Sequence, residues 1–265
     1  MTRPEALLAT ERISRRFGGL SAVKDVSIAL RRGEVHALLG PNGAGKSTLI
    51  NLLSGDLAAS AGRVLYGGRD VTDFSVERRA RAGIGRSYQK TNVFMAFTAF
   101  ENCRLAAQSR RPRAWHVLAD ATAHLSHREV AERALAAAGL EGRGPRIAAT
   151  LSHGEQRQLE VAMVLATEPK VLLLDEPLAG MGPEEAERMV ELLARIAPAH
   201  AILLVEHDMD AAFALAHVVT VMVEGEVLES GPPEQIRASP AVSRAYLGVD
   251  GAPGPGEARA GEGRG

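Results

Sequence analysis

The stretch EVHALLGPNGAGKST, residues 34–48, constrains this chain more than any other. Residues 34–39 read as a short buried strand. They run into a loop that matches G-x-x-x-x-G-K-S at Gly40, Gly45, Lys46 and Ser47, and the loop opens an apolar-periodic helix over residues 47–53. Glycines let backbone N–H groups approach phosphate oxygens closely, and a new helix N-terminus turns its partial positive charge toward them. Lys46 has the reach for the β- and γ-phosphates of a nucleotide, and Ser47 carries a hydroxyl suited to Mg²⁺. Strand, loop and helix in that order separate a phosphate cradle from a chance Gly-rich turn.

The remaining composition narrows the partners. The chain has 265 residues, 46% hydrophobic and 24% charged, enough for one large α/β domain with a subdomain or for two small domains. A net charge of −1 gives no reason to expect nucleic acid, and 4% aromatics argues against base-stacking platforms. The single cysteine, Cys103, excludes an internal disulfide and a thiolate zinc cluster. No run of 18 apolar residues is present, so no segment is expected to span a membrane, and the opening MTRPEALLAT is too short in apolar residues for a secretory signal. Residues 250–265, DGAPGPGEARAGEGRG, read as a disordered tail.

Along the chain, residues 6–13, 23–30 and 62–67 read as strands joined by turns, which implies an antiparallel flap against a βαβ core. Arginine-rich residues 76–82 suggest a short helix, and GIGRSYQ, 83–89, a strand ending at Gln89. Helical patterns then dominate to about residue 165, with candidates at 99–109, 116–125 and 128–138. The core resumes with strands at 170–177 and 201–207. Between them PEEAERMVELLARIA, 183–197, is a helix with Pro183 in its first turn and a buried stripe of Met189, Val190, Leu193 and Ile196. Asp208 caps a further helix to residue 216. Two strands around Glu224–Gly225 and a short helix near 240–247 complete the pattern. The expected division is a core of 1–90 and 165–249, a helical insertion of 91–164, and the tail.

Three further signals carry chemistry. The apolar run 171–174 ends in Asp175 and Glu176. A nucleotide site needs one carboxylate near Mg²⁺ and another to orient or deprotonate the attacking water. On a strand, consecutive side chains point to opposite sides, so the two acids are expected to divide these roles. LSHGEQ, 151–156, starts a helix whose Ser152 and Glu155 form S-x-x-E, a capping box. Finally, Glu206–His207–Asp208 follows an apolar strand.

The order of these motifs, with LSHGEQ 19 residues before the acidic pair, resembles the ATP-binding-cassette (ABC) ATPases, whose signature is LSGGQ. The resemblance runs to about residue 248. It implies an α/β fold: a P-loop NTPase core with a mainly parallel sheet flanked by helices, an antiparallel β subdomain and a helical insertion subdomain. It also assigns roles. Gly40, Asn42, Gly43, Gly45, Lys46, Ser47 and Thr48 match the phosphate loop, and Phe17 falls where the family stacks a ring on adenine. Ser47, Gln89 and Asp175 match the Mg²⁺-associated residues, and Gln89 links metal and water to the membrane partner. Glu176 matches the catalytic base and His207 the switch histidine. Ser152 and Gly154 match the signature residues that contact the γ-phosphate on the opposite subunit. His153, Glu155 and Gly182 depart from the family's usual glycine, glutamine and D-loop aspartate.

One phosphate loop and one signature imply a dimer around two ATP molecules, homotypic or with a second ABC ATPase. FGGLSAVKDVS, GIGRSYQKTNVF, ENCRLAAQ, LAGMGPEE and PAVSRAYLG are most similar to the ATP-binding subunit of branched-chain (hydrophobic) amino acid importers. That group implies two membrane permeases, an external solute-binding protein acting indirectly, and a peripheral position on the cytoplasmic face of the inner membrane. Val93, Phe94, Met95, Phe97 and Phe100 include candidates for seating a permease's coupling helix. ATPases of urea/amide importers and of lipopolysaccharide export look similar. A soluble ABC ATPase acting on ribosomes or DNA is the reading from another class.

Overall fold

The structure, a computed structural model, describes residues 5–88, 92–110, 125–207 and 209–250. The helix expected at 116–125 (all but its last residue), the capping Asp208 and nearly all of the expected tail lie outside these residues, as does Gln89.

Among the described residues the N-terminal third forms an antiparallel sheet of β1 (Leu8–Phe17), β2 (Leu20–Val26), β3 (Ala29–Leu30), β5 (Ala61–Tyr66) and β6 (Arg69–Asp70). A second sheet runs β11 (Glu226–Gly231), β10 (Val218–Val223), β4 (Val35–Leu39), β9 (Ala201–Val205), β8 (Val171–Asp175), β7 (Ile84–Arg86). Its strands pair in parallel except for antiparallel β11 on β10. VHALL, VLLLD and AILLV are buried at every position. Continuous apolar runs of this kind are what a parallel sheet covered on both faces requires.

The covering helices come from periodic segments. Helix α1 (Lys46–Ser54) puts Leu49, Ile50, Leu52 and Leu53 into the layer between the two sheets, beside Leu8, Ile13 and Val23. Each such side chain contributes roughly 1.5–3 kcal/mol of burial. On the other face, α5 (His153–Ala166) and α6 (Pro183–Ile196) pack with α3 (Ala99–Ser109) and α4 (Leu125–Ala137) in one apolar cluster. Short α2 (Val76–Ala82), α7 (Met209–Leu215), α8 (Pro233–Arg237) and α9 (Pro240–Asp250) complete the chain.

Several expectations shift. The segment expected to link the first two strands is itself strand, since β1 continues to Phe17 and turns at Gly18–Gly19. The stripe of α6 is Met189, Leu192, Leu193 and Ile196, spaced i, i+3, i+4, i+7, while Val190 is only half-buried. The strand expected at 83–89 is limited to Ile84–Arg86, and α8 carries no signal because five residues give no period to read.

Candidate functional site

The loop after β4 turns back sharply before α1. Gly40 has φ +149°, and a Cβ there would lie 2.2 Å from the Met222 carbonyl oxygen. Gly45 has φ +99°, and its Cβ would lie 2.4 Å from the Ala22 carbonyl oxygen. Glycine is the residue both positions admit. Asn42, Gly43 and Ser47 are exposed around the loop, and Thr48 is half-buried. The buried Lys46 folds over the loop and donates from Nζ to the Gly40 (2.5 Å) and Pro41 (3.1 Å) carbonyls. Burial lowers its pKa, against the attraction of Glu176 and Asp175. The ammonium of the loop and the acidic pair therefore share one electrostatic site.

Asp175 closes β8, buried, with its backbone N–H donating to Ser87 Oγ at 3.3 Å. Its Oδ2 lies 3.5 Å from Arg86 Nη2, and Arg86 also bonds Asp56 and Ser54 at 2.8 Å. Burial raises the Asp175 pKa, Arg86 opposes that, and Glu176 adds to it. Asp175 Oδ1 is buried with no hydrogen-bond partner among the described residues. An unsatisfied buried carboxylate oxygen carries a desolvation cost that a hard cation, or a water bound to one, would relieve. The donor set of Ser47 and Asp175 thus fits Mg²⁺.

Glu176 departs from the expected strand alternation. It leaves β8 in the left-handed region, φ +52°, and donates its N–H to the Val205 carbonyl at 2.9 Å. That conformation brings its carboxylate into hydrogen-bond contact with His207 Nε2. The neighbouring Glu206, which the sequence reading passed over, is buried. It accepts from the backbone N–H of Leu178 (3.0 Å) and of His207 (3.3 Å).

Ser152 and Gly154 stand at the start of α5. The capping box is complete: Glu155 N–H donates to Ser152 Oγ at 3.1 Å, and Ser152 N–H to Glu155 Oε2 at 3.0 Å. Arg143 anchors Glu155 at 2.7 Å. Glu185 of α6, legible in the sequence only as an acid suited to that helix's N-terminal dipole, accepts from Gly154 N–H at 3.1 Å. Gly182 is the N-cap of α6, and a Cβ there would meet open space. Phe17, expected in a loop, is the exposed last residue of β1 with the Arg15 guanidinium 4.7 Å from its ring centre.

A parallel core sheet with a glycine loop entering a helix, a buried lysine and an acidic pair beyond the neighbouring strand defines a P-loop nucleotide hydrolase. The family of ABC transporters matches residues 23–179. The high-affinity branched-chain amino acid transport ATP-binding protein LivG of Escherichia coli (strain K12) is 36% identical over 255 residues, 94% of this chain and 99% of the relative. BraF of Pseudomonas aeruginosa, described in the same words, is 36% identical over 261 residues with the same coverage. Among solved structures, the ADP conformation of MJ1267, an ATP-binding cassette of an ABC transporter, superposes with a TM-score of 0.81 at 29% identity, covering 92% of this chain and 99% of that one. The chain belongs to the ABC transporter family, as an ATP-binding, ATP-hydrolysing subunit.

Proposed function

We propose that this ATPase energises uptake of branched-chain or other hydrophobic amino acids through separate permease subunits, docked at the cytoplasmic face of the inner membrane. The observation that carries the reading is identity of 36–37% across 94% of the chain to ATP-binding proteins of branched-chain amino acid transport. No helix among the described residues is long and apolar enough to cross a membrane, so translocation falls to other subunits.

The docking face is the loop before α3. Phe94 and Phe97 stack at 5.4 Å between ring centres and remain 50% and 43% exposed, with Met95 beside them. Buried Asn102 holds this loop by accepting from Phe94 N–H (2.8 Å) and donating to the Phe94 (3.1 Å) and Thr98 (2.9 Å) carbonyls. Val93 is buried and Phe100 packs on the helical core, so Phe94, Met95 and Phe97 are the residues left to meet a coupling helix.

In the mechanism we propose, Gly40 through Thr48 cradle the phosphates of ATP, and Lys46 exchanges its loop carbonyls for the β- and γ-phosphate oxygens. Phe17 offers its ring to adenine. Ser47, Asp175 and Gln89 would hold Mg²⁺, which when bound would neutralise charge on the phosphate oxygens. Glu176 takes the proton of the attacking water, and His207 senses the γ-phosphate. Ser152 and Gly154, with the N-terminal dipole of α5, receive the γ-phosphate of ATP held by a second cassette. The 91–164 subdomain carries that signature toward the partner. Loss of the γ-phosphate loosens the dimer.

Affinity purification of the tagged chain from its native membranes with ATP, followed by mass spectrometry, tests the reading. Recovery of two permeases, followed by uptake of leucine, isoleucine or valine in reconstituted vesicles, supports it. Urea uptake would move the chain to another importer group, and recovery with ribosomes or DNA alone would overturn transport.

A further inference from the structure

Past the ends of β8 and β9 the reacting groups of the proposed mechanism sit on two chain segments, 176–178 and 206–207. The strands pair in register through Asp175 and Val205. One residue further, Glu176 occupies a left-handed conformation, φ +52°, that residues other than glycine seldom adopt. Such a conformation persists only where surrounding bonds hold it. On one side Glu176 N–H is held by the Val205 carbonyl at 2.9 Å. On the other, Leu178 N–H is held by Glu206 Oε1 at 3.0 Å. The second oxygen of the same carboxylate accepts from the backbone N–H of His207 at 3.3 Å.

Glu206 is 3% exposed, and burying a carboxylate at a strand end is expensive unless its oxygens receive donors. A bare cap would ask for one bond on its own segment. Here one oxygen bonds across to the segment that carries Glu176, while the other accepts from the adjacent N–H of His207 on its own segment. We propose that Glu206 is a positioning residue for hydrolysis: it ties residues 176–178 to His207 and holds the Glu176 and His207 side chains in contact. This inference rests on the proposed roles of Glu176 and His207. The bond from Leu178 N–H to Glu206 adds a second tie between the two segments beside the Glu176–His207 contact.

Steady-state ATP hydrolysis by the purified full-length chain, with binding of a fluorescent ATP analogue measured in parallel, tests it. Glu206→Ala should lower kcat by about 100-fold, the scale of an ångström-sized displacement of a reacting group. KM for ATP and analogue affinity should stay within about twofold, because the phosphate loop is untouched. Glu206→Gln keeps an acceptor for Leu178 N–H but places an amide donor against His207 N–H. It should recover part of kcat, and it gives the answer if the alanine variant does not fold: about a tenfold lower kcat at unchanged KM. Unchanged kcat in the glutamine variant and in any folded alanine variant overturns the inference, as does loss of analogue binding in step with kcat. Glu176→Gln run alongside separates the two levels. If it retains turnover the base assignment itself fails; if it loses turnover while the Glu206 variants do not, only the role of Glu206 fails.

Discussion

The Nε2 atom of His207 and a carboxylate oxygen of Glu176 are hydrogen-bonded across the carboxyl ends of adjacent parallel strands. The ends of central strands in such sheets are where ligands bind. His207 is half-exposed and Glu176 largely covered, so the pair faces outward from a fixed base. Replacing His207 by Ala leaves Glu176 without this partner but leaves the loop around Lys46 intact. The expected result is a loss of about 100-fold or more in kcat with little change in ATP binding, read from turnover and equilibrium titration.

A second prediction concerns acid stability. His36 of β4 is buried, with Nε2 2.7 Å from Thr220 Oγ1, and burial lowers its pKa from 6.5 to about 4. Between those values the unfolded chain binds a proton that the folded chain refuses. Stability is therefore full above pH 6.5 and falls as pH drops toward 4, by roughly 3 kcal/mol from this group. Urea denaturation at pH 7 and pH 5 should show the loss, and His36→Gln should flatten it. An unchanged slope in the variant would contradict the assignment.

Arg79 yields a third. Its guanidinium is buried and donates to the carbonyls of Leu52 (2.5 Å), Leu53 (2.8 Å) and Thr72 (2.6 Å). Two of these are end carbonyls of α1, the helix that the phosphate loop opens, and the cation also faces the negative end of its dipole. Arg79→Met leaves those carbonyls buried without donors. It should cost about 3 kcal/mol in denaturant unfolding, while Arg78→Met, exposed and losing only a contact with the Phe74 ring, should cost about 1 kcal/mol or less.

The exposed aromatic pair gives the fourth. Phe94→Ala with Phe97→Ala removes two stacked rings that are about half exposed and lie outside the nucleotide-binding residues, so basal hydrolysis by the isolated chain should hold. Co-purification of permease subunits should drop at least tenfold. Retention of the permeases by the double variant would place the docking face elsewhere.

The phosphate loop was legible because its glycines, lysine and flanking strand are bound together by local geometry, and the core strands because burial on both faces writes an unbroken apolar run. The capping box at Ser152 was legible because both partners lie within one turn. Non-local polar bonds leave no such trace. Glu206 meets Leu178 across 28 residues, Glu185 meets Gly154 across 31, and Arg79 meets Leu52 across 27. Each reads in sequence as one more charged residue. The left-handed turn at Glu176 was hidden for another reason: no residue preference marks a glutamate held there by neighbouring strands. Phe17 was misplaced because β1 and β2 run to a tight glycine turn and the strands take in residues whose composition suggested a linker.

The most direct test of Glu176 as the base is hydrolysis by Glu176→Gln measured beside ATP binding. The substitution keeps size and removes the proton acceptor while the Glu176 backbone bond to Val205 remains. The expected result is turnover reduced by about 100-fold or more with ATP affinity within about twofold of the unaltered chain. Hydrolysis at the unaltered rate would contradict the assignment and leave the acidic pair without a proton acceptor for the attacking water.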